Sequence, residues 1–241
     1  MIDIVYLLGT GSKWDNNELR YSLRSIELCF TNVGQVWIIG EVPNWLRRVK
    51  HVPYREVPNQ TALNIAAKIC FAAKQKELTT EFVLMSDDYF MLDQMNAETI
   101  PVYYQGSLQQ HIYQLPRSNF YKTVLKNTVE YLEKNNRATL DYNVHAPMIM
   151  NKAMVPAAIP LDSKPIASKS VYGNFCNAIY YESAFAKEFI NDVKLRAPMN
   201  YSEIIDKING WKFFSTGNRV LNADMKKLLN DLYPQRSRFE I

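Results

Sequence analysis

The sequence predicts an α/β fold in which helices flank one mostly parallel central sheet. Short apolar runs and stretches with apolar residues at helical spacing alternate over the first hundred residues. One run, residues 82–85, is apolar at every position, as in strands that are buried on both faces. With 241 residues and 47% hydrophobic content the chain can bury one large core, so we expect a single domain over residues 1–241.

The first hundred residues supply most of the predicted sheet. Apolar residues at positions 19, 23, 26 and 30 have the spacing of one helical face, and a second set between 62 and 73 repeats the pattern. Parallel strands joined by such helices require right-handed crossovers. The predicted strands cover residues 2–8, 35–40 and 82–85, with a further short strand within 49–57, and the predicted helices cover residues 16–30 and 59–78.

The pattern changes after residue 100. Residues 102–114 are rich in tyrosine and glutamine, which suits a surface for sugars or bases, or an amphipathic strand pair. Ser118 is expected to cap a helix that ends near residue 135. Residues 153–170 contain three prolines and indicate a loop. The remaining predicted elements are a helix over 182–193, an aromatic strand over 211–218 and a helix over 219–232.

Composition narrows the class of protein. A net charge of +4 permits contact with phosphates, nucleotides or nucleic acid but does not require it. Cys29, Cys70 and Cys176 lack CxxC spacing, so we expect reduced core residues without a zinc site or a disulfide framework. The first residues lack the features of a signal peptide, and no run reaches the roughly 18 apolar residues of a membrane helix. These features predict a cytoplasmic protein that makes no membrane contact.

Two adjacent carboxylates, Asp87 and Asp88, follow the apolar run 82–85. Side by side and partly buried, they repel each other unless a cation or several hydrogen-bond donors offset their charge. Mg2+ and Mn2+ prefer oxygen ligands and leave positions open for phosphate oxygens, and ligands of open α/β sheets gather at the carboxyl ends of strands. The pair therefore predicts a divalent metal site, and the alternative is a solvated turn.

Arg20 and Arg24 lie four residues apart on the first predicted helix, so their side chains share one face. Their planar guanidinium groups match phosphate oxygens. This face is a candidate clamp for a phosphate or pyrophosphate. The alternative is a pair of solvated arginines near Glu18 or Glu27.

The loop after the first strand is a second candidate for ligand contact. Gly9, Thr10, Gly11 and Ser12 combine two glycines, which allow a ligand to approach the backbone closely, with two hydroxyl donors. The loop matches neither the Walker pattern nor GxGxxG. Trp14 follows it, and its ring suits either stacking on a base or sugar or ordinary packing.

Two further residues carry candidate chemistry in the second half. His145 lies among apolar residues, where a neutral imidazole can complete a metal site or carry a proton, although many isolated histidines are core residues. Lys169 belongs to the segment 168–175, whose hydroxyls, amide and lysine suit a donor or acceptor pocket or a simple turn.

Five segments in the same order resemble the early blocks of Stealth-type capsular polysaccharide phosphotransferases. They also resemble a group of short phage-encoded glycosyltransferases. The similarity covers about the first 95 residues, and residues 141–147 more loosely resemble a later His-Pro block of the same enzymes. The segments are residues 1–6 (MIDIVY), 14–26 (WDNNELRYSLRSI), 36–40 (VWIIG), 43–46 (PNWL) and 85–90 (MSDDYF).

The resemblance implies a GT-A-like fold with a nucleotide-sugar-binding half over residues 1–100 and an acceptor-binding half over residues 101–241. By the same resemblance, the loop 9–14 faces the nucleotide, Arg20 and Arg24 lie near the donor phosphates, Asp87 and Asp88 hold the metal, and His145 approaches it.

The chain departs from these relatives in two respects. A common GT-A motif is Asp-x-Asp, whereas Ser86 stands at its first position here. The resemblance then implies that Asp88 is the direct ligand and that Asp87 acts through water or as a base. The Stealth enzymes are also longer, so the acceptor half and the transfer chemistry can differ.

The sequence therefore predicts a glycosyltransferase that uses Mn2+ or Mg2+ and moves a sugar from a nucleoside-diphosphate sugar, with a UDP-sugar expected, to a hydroxyl acceptor. The acceptor is a glycan or a modified DNA base: the basic run 47–55 and the phage-encoded relatives are compatible with DNA, and the tyrosine-rich segment 102–114 fits a glycan as well. A phage-encoded enzyme would act in the host cytoplasm. The alternatives are a Stealth-type sugar-phosphate transferase and a non-catalytic module that binds a glycan or nucleic acid.

Overall fold

The computed structural model of the chain describes residues 1–161, 164–180, 187–191 and 194–241. The strands are β1 (Ile2–Leu8), β2 (Phe30–Thr31), β3 (Val33–Gly40), β4 (Lys50–Val52), β5 (Glu81–Met85), β6 (Tyr89–Met91), β7 (Met95–Asn96), β8 (Val102–Tyr104), β9 (Met148–Asn151), β10 (Lys187–Phe189), β11 (Lys194–Leu195) and β12 (Phe213–Thr216). The α-helices are α1 (Asn17–Cys29), α2 (Thr61–Ala73), α3 (Leu108–Gln114), α4 (Phe120–Lys134), α5 (Val155–Ala158), α6 (Ser168–Tyr180), α7 (Tyr201–Ile208) and α8 (Ala223–Leu232).

A five-stranded sheet in the order β4-β3-β1-β5-β9 forms the centre of the molecule. The first four strands are parallel, and β9 pairs antiparallel with β5. Register pairs Leu8 with Gly40 and Tyr6 with Met85, so β1, β3 and β5 end at one edge of the sheet. The predicted α/β class with a mostly parallel sheet is confirmed.

Each face of this sheet packs against helices. On one face, Ile4 and Tyr6 of β1 lie in the same apolar cluster as Leu19 and Leu23 of α1, and all four side chains are buried. On the other face, Val5 joins the cluster that contains the buried side of α2. Apolar residues at helical spacing thus produce the burial that the sequence predicts.

A second layer of structure is assembled from distant segments. The strands β11, β12 and β6 form a three-stranded sheet in that order, and β12 runs antiparallel to β6. Phe90 and Phe214 lie in the cluster that also contains α7 and α8. Pairing between β6 and β12 brings the residues after Asp88 next to the last quarter of the chain.

The second half differs from the prediction in several elements. Residues 102–114 form β8 followed by α3 rather than a strand pair. The predicted loop 153–170 contains the short helix α5, and the segment 168–175 belongs to α6 rather than to a turn. Of the predicted helix 182–193, residues 187–189 form β10, while 182–186, 192 and 193 lie outside the described residues.

Two expectations from composition can be compared with the structure. Cys29, Cys70 and Cys176 are buried and free, as predicted. Among the described residues, no helix combines the length and the apolar character that crossing a bilayer requires.

Candidate functional site

A cavity of about 590 Å3 opens where β1 and β5 end. It is bounded by residues from both halves of the chain, so neither half forms the site alone. The lining residues are Leu7, Asn59, Thr61, Ala62, Ile65, Leu84, Met85, Ser86, Asp88, Tyr89, Phe120, Tyr121, Val124, Asn143, Val144, His145, Ile166, Ala167, Ser168, Lys169 and Lys194.

Three helices begin at this cavity. The first residues of α2, α4 and α6, which start at Thr61, Phe120 and Ser168, all contribute to its wall. None of the three helices has an acidic residue in its first turn. Helix N-termini carry partial positive charge and unpaired backbone N–H groups, so together they favour an anionic ligand.

The charged side chains in the wall are unevenly distributed. Among the described lining residues, Asp88 carries the one carboxylate, and Lys169 and Lys194 carry positive charge. The Lys194 Nζ donates to Asp88 Oδ2 at 3.1 Å, and both side chains are about one-fifth exposed. The Lys169 Nζ donates to the carbonyl oxygens of Val144 and Ala146 at 2.6 and 2.8 Å. Asp88 is thus a solvent-accessible carboxylate inside a mainly positive cavity.

Asp87 lies next to the cavity but does not line it. Burial, the Asp88 carboxylate and the Glu18 carboxylate together raise the pKa of Asp87 from 3.8 to about 7. Ser86 Oγ donates to Asp87 Oδ1 at 3.2 Å, which offsets a small part of this cost. The structure therefore brings the predicted acid pair together with a third carboxylate.

Two properties of this acid cluster bear on metal binding, namely its negative charge and the number of ligands that it offers. The pKa of Asp87 is raised first by burial and then by the negative charge of Asp88 and Glu18, and a bound cation would offset that charge. Among the described residues, no three His, Cys, Asp or Glu side chains are grouped closely enough to form a ligand set. A divalent cation at Asp88 would therefore take its other ligands from phosphate oxygens and water, as Mg2+ commonly does.

His145 lines the same cavity as Asp88. Its ring lies 6.3 Å from the ring of Tyr89, centroid to centroid, in an edge-on arrangement. Next to it, Asn143 donates a hydrogen bond from its side-chain amide to the hydroxyl of Tyr121. The histidine therefore shares the site with the predicted metal ligand, but it belongs to no grouped ligand set.

The loop that contains Gly9, Thr10, Gly11 and Ser12 does not line the cavity. Ser12 Oγ donates to Glu18 Oε2 at 3.0 Å, and it also accepts from the backbone N–H of Asn16 at 2.9 Å. These bonds fix the loop to the start of α1.

Trp14, directly after this loop, packs against other side chains. Its ring stacks on Tyr21 with centroids 5.6 Å apart, and the Lys226 ammonium lies 4.9 Å from the ring centroid. Packing is therefore the role that the contacts of Trp14 support.

Arg20 and Arg24 bind a carboxylate of the protein itself. Arg24 donates from Nε and Nη2 to the two carboxylate oxygens of Glu240 at 2.7 and 2.8 Å, and Arg20 donates at 3.0 Å. The Arg20 guanidinium also stacks over the ring of Trp45 at 4.0 Å. Neither arginine lines the cavity, so we leave both out of the proposed site.

Some polar residues near the site were not predicted. Lys68 is almost fully buried, and its Nζ donates to the Leu8 carbonyl at 2.6 Å and to Glu56 Oε1 at 2.5 Å. A lysine on the buried stripe of α2 is a signal that sequence reasoning could have used. Lys194 carries no such signal, because only the fold brings it to the cavity, whereas Ser168 belongs to the segment 168–175, whose hydroxyls the sequence assigns to a pocket or a turn.

Comparison of the chain with protein-family models and with curated proteins gives no significant match. The function is therefore inferred from the cavity, its charges and the order of the strands.

Proposed function

We propose that the protein is a metal-dependent glycosyltransferase with a GT-A-like fold that uses a nucleoside-diphosphate sugar, with a UDP-sugar as the first candidate. One observation carries the proposal: three helix N-termini and two lysines surround an accessible aspartate where parallel strands end. A diphosphate suits the positive wall, and a cation between diphosphate and carboxylate suits Asp88.

The residues of the cavity have distinct proposed roles. Asp88 would hold Mn2+ or Mg2+, with Asp87 acting through water, and His145 is a further candidate at the same wall. A bound divalent cation would supply positive charge to the leaving diphosphate. Lys194 would remain near the phosphates, since its salt bridge already places it against Asp88. Such fixed charges stabilise charge that develops during bond cleavage.

The acceptor side is proposed to involve the aromatic part of the wall. Phe120 is 67% exposed although it lines the cavity, and Tyr121 lies beside it. Rings of this kind suit a sugar or a base. Asp87 remains the candidate for the base that orients the acceptor hydroxyl, because its carboxylate lies directly beside Asp88 after the end of β5.

The proposed acceptor is either a glycan or a modified DNA base. The exposed basic residues Arg47, Arg48, Lys50 and Arg55 lie at or near the edge strand β4 and support the DNA acceptor. Binding to duplex DNA should then weaken steeply as salt rises, because released counterions dominate such binding. A flat dependence on salt would favour the glycan.

The substitution Asp88→Asn tests the proposal. In the wild type, Mn2+ with a UDP-sugar should raise the melting temperature, because a ligand that binds only the folded state stabilises it. Asp88→Asn should abolish the metal-dependent part of this shift and lower donor hydrolysis at least about 100-fold. Asp93→Asn, an exposed carboxylate five residues downstream, is the control and should behave as the wild type.

Product analysis separates the candidate activities. A nucleoside diphosphate and a glycoside identify sugar transfer, whereas a nucleoside monophosphate and a phosphodiester identify sugar-phosphate transfer. If neither metal-dependent stabilisation nor turnover is seen with UDP- and GDP-sugars, the transferase proposal is rejected and the binding module is favoured.

A further inference from the structure

Ser168 has a buried hydroxyl without a hydrogen-bond partner at the wall of the cavity. The residue is 3% exposed, and its Oγ makes no hydrogen bond. Its neighbour Ser170 differs, because it donates to Asp141 Oδ1 at 3.1 Å and accepts from the Tyr142 N–H at 3.0 Å. A buried polar atom without a partner destabilises a fold, so it requires an explanation such as a ligand.

The position of Ser168 indicates the charge of that ligand. Ser168 is the first residue of α6, a helix of 13 residues, so the partial positive charge of the helix N-terminus lies at its hydroxyl. Lys169 in the same turn adds a positive charge, and no acidic residue is present in that turn. Positive charge at a helix N-terminus opposes the helix dipole, and a bound anion would offset both.

The carboxylates near this turn already have partners. Asp88, which also lines the cavity, forms its salt bridge with Lys194. Asp141 contacts the turn through Ser170, and its Oδ2 binds His111 Nδ1 at 2.7 Å and Gln105 Nε2 at 3.0 Å. Neither carboxylate therefore takes the place of an anion at Ser168.

The start of α6 is held in a fixed position by α4. The Ala167 N–H donates to Thr128 Oγ1 at 2.9 Å, and Asn127 Nδ2 donates to the Pro165 carbonyl at 3.0 Å. Thr128 is fully buried, so this contact is protected from water. A ligand would meet a turn that is already ordered, which lowers the entropy cost of binding.

We propose that the N-terminus of α6 is a phosphate subsite of the cavity, in which the Ser168 hydroxyl and the first-turn backbone N–H groups bind phosphate oxygens. The subsite rests on the proposed function only for the class of ligand, a phosphate ester, and not on the transfer chemistry. It assigns a second binding element to the cavity, in addition to the acidic element at Asp88.

Calorimetry with inorganic pyrophosphate and the variant Ser168→Ala tests the subsite in metal-free buffer. The variant should bind pyrophosphate at least about tenfold more weakly, because a hydrogen bond to a charged group is lost. The same variant should melt about 2–4 °C higher, because a buried hydroxyl without a partner has been removed. This combination of higher stability and weaker binding is not expected of a residue that only supports the fold.

Tyr103→Phe is the matched control. Tyr103 is 3% exposed, its hydroxyl also lacks a partner, and it does not line this cavity. Tyr103→Phe should raise the melting temperature in the same way and leave pyrophosphate binding unchanged. Wild-type affinity in Ser168→Ala, or equal loss of affinity in both variants, would overturn the proposal.

Two further measurements are needed. One identifies whether the bound phosphate belongs to the donor or to the acceptor, and the other distinguishes failure of the subsite from failure of the proposed function. If glycerol 2-phosphate still binds in the presence of Mn2+ and a UDP-sugar, the subsite takes a phosphorylated acceptor; if it is excluded, the subsite takes the donor diphosphate. Both results require Ser168 and support the subsite. Failure of the transferase proposal would appear as a wild-type protein that lacks Mn2+-dependent turnover but retains the Ser168 effect on pyrophosphate.

Discussion

Asp87 is the residue whose ionisation the fold changes most clearly near neutral pH. Its pKa is raised from 3.8 to about 7, so folding disfavours its charged form. Protonated Asp87 makes its full contribution to the free energy of unfolding below about pH 3.8, and this contribution is lost as the pH rises through 7. Metal-free protein should therefore become less stable between these pH values.

Asp87→Asn should remove this pH dependence. Relative to the wild type, the variant should gain roughly 1–3 kcal/mol in the free energy of unfolding between pH 4 and pH 8. Urea unfolding in EDTA at pH 4, 6 and 8 measures the difference. Asp206→Asn, which changes an exposed carboxylate on α7, should show a difference that is flat with pH. A difference between Asp87→Asn and the wild type that is equal at pH 4 and pH 8 would contradict the electrostatic account of the acid cluster.

Single residues of the site differed in how far the sequence could predict them. Asp88 was predicted, because two acids after a buried strand are a local pattern, and the structure places it in the cavity. Lys194 was not, because its position depends on contacts with residues far away in the chain, whereas Ser168 belongs to the predicted pocket segment 168–175. The sequence predicts a phosphate clamp at Arg20 and Arg24, because Glu240, the carboxylate that both bind, is more than 200 residues away and gives no local signal.

Helix α6 is the element on which one wall of the cavity depends. Gly173 lies on its buried side, where a Cβ atom would stand 2.5 Å from Cδ2 of Tyr142. Tyr142 is fully buried and cannot move without displacing its neighbours. The absence of a side chain at position 173 therefore sets the distance between α6 and the segment that carries His145.

Gly173→Ala should lower the free energy of unfolding by about 1–2 kcal/mol, because overpacking exceeds the gain in helix propensity. It should also weaken pyrophosphate binding, since α6 must shift away from Tyr142. Chemical denaturation and calorimetry measure the two effects. Gly11→Ala is the control, because no atom lies within 4 Å of its added Cβ, and it should be nearly neutral. A fully stable Gly173→Ala variant would show that the contact can relax.

Elements with strong local patterns were predicted, and those fixed by tertiary contacts were not. The strands β1, β3, β4 and β5 and the helices α1 and α2 follow apolar runs and stripes, so their existence was clear from the sequence, whereas the short strands β2, β6 and β7 were not predicted. Helix α6, which packs against α4 and α5, begins with Ser168, Lys169 and Ser170, and most of its described side chains over 168–176 are buried, so its burial follows no simple period. Strand β9 is four residues long, follows Pro147 and is rich in methionine, which gives a weak strand signal.

At the scale of the molecule, Glu240 connects the last residues to α1. Its side chain is fully buried and binds Arg20 and Arg24. Burial alone would raise its pKa, but hydrogen bonds from Arg24, from the Ser237 N–H and from Arg20 lower it to about 2. The carboxylate therefore stabilises the fold fully above about pH 4.5, and this stability is lost as the pH falls through 2.

Glu240→Gln should lower the free energy of unfolding at pH 7 by about 3 kcal/mol, because it leaves two arginines without their carboxylate. The deficit should shrink as the pH approaches 2. Urea unfolding followed by circular dichroism at several pH values measures it. The control Glu130→Gln breaks an exposed salt bridge with Lys164 and should cost less than about 1 kcal/mol. Equal effects of the two substitutions would refute the structural role of Glu240.

The exposed ring of Phe120 has a practical consequence for measuring occupancy. The four tryptophans, at positions 14, 37, 45 and 211, are absent from the cavity wall, so intrinsic emission reports unfolding rather than ligand. Phe120→Trp would place an indole at the mouth of the cavity. Quenching of its emission on addition of a nucleotide would then follow filling of the cavity directly, without any enzymatic readout.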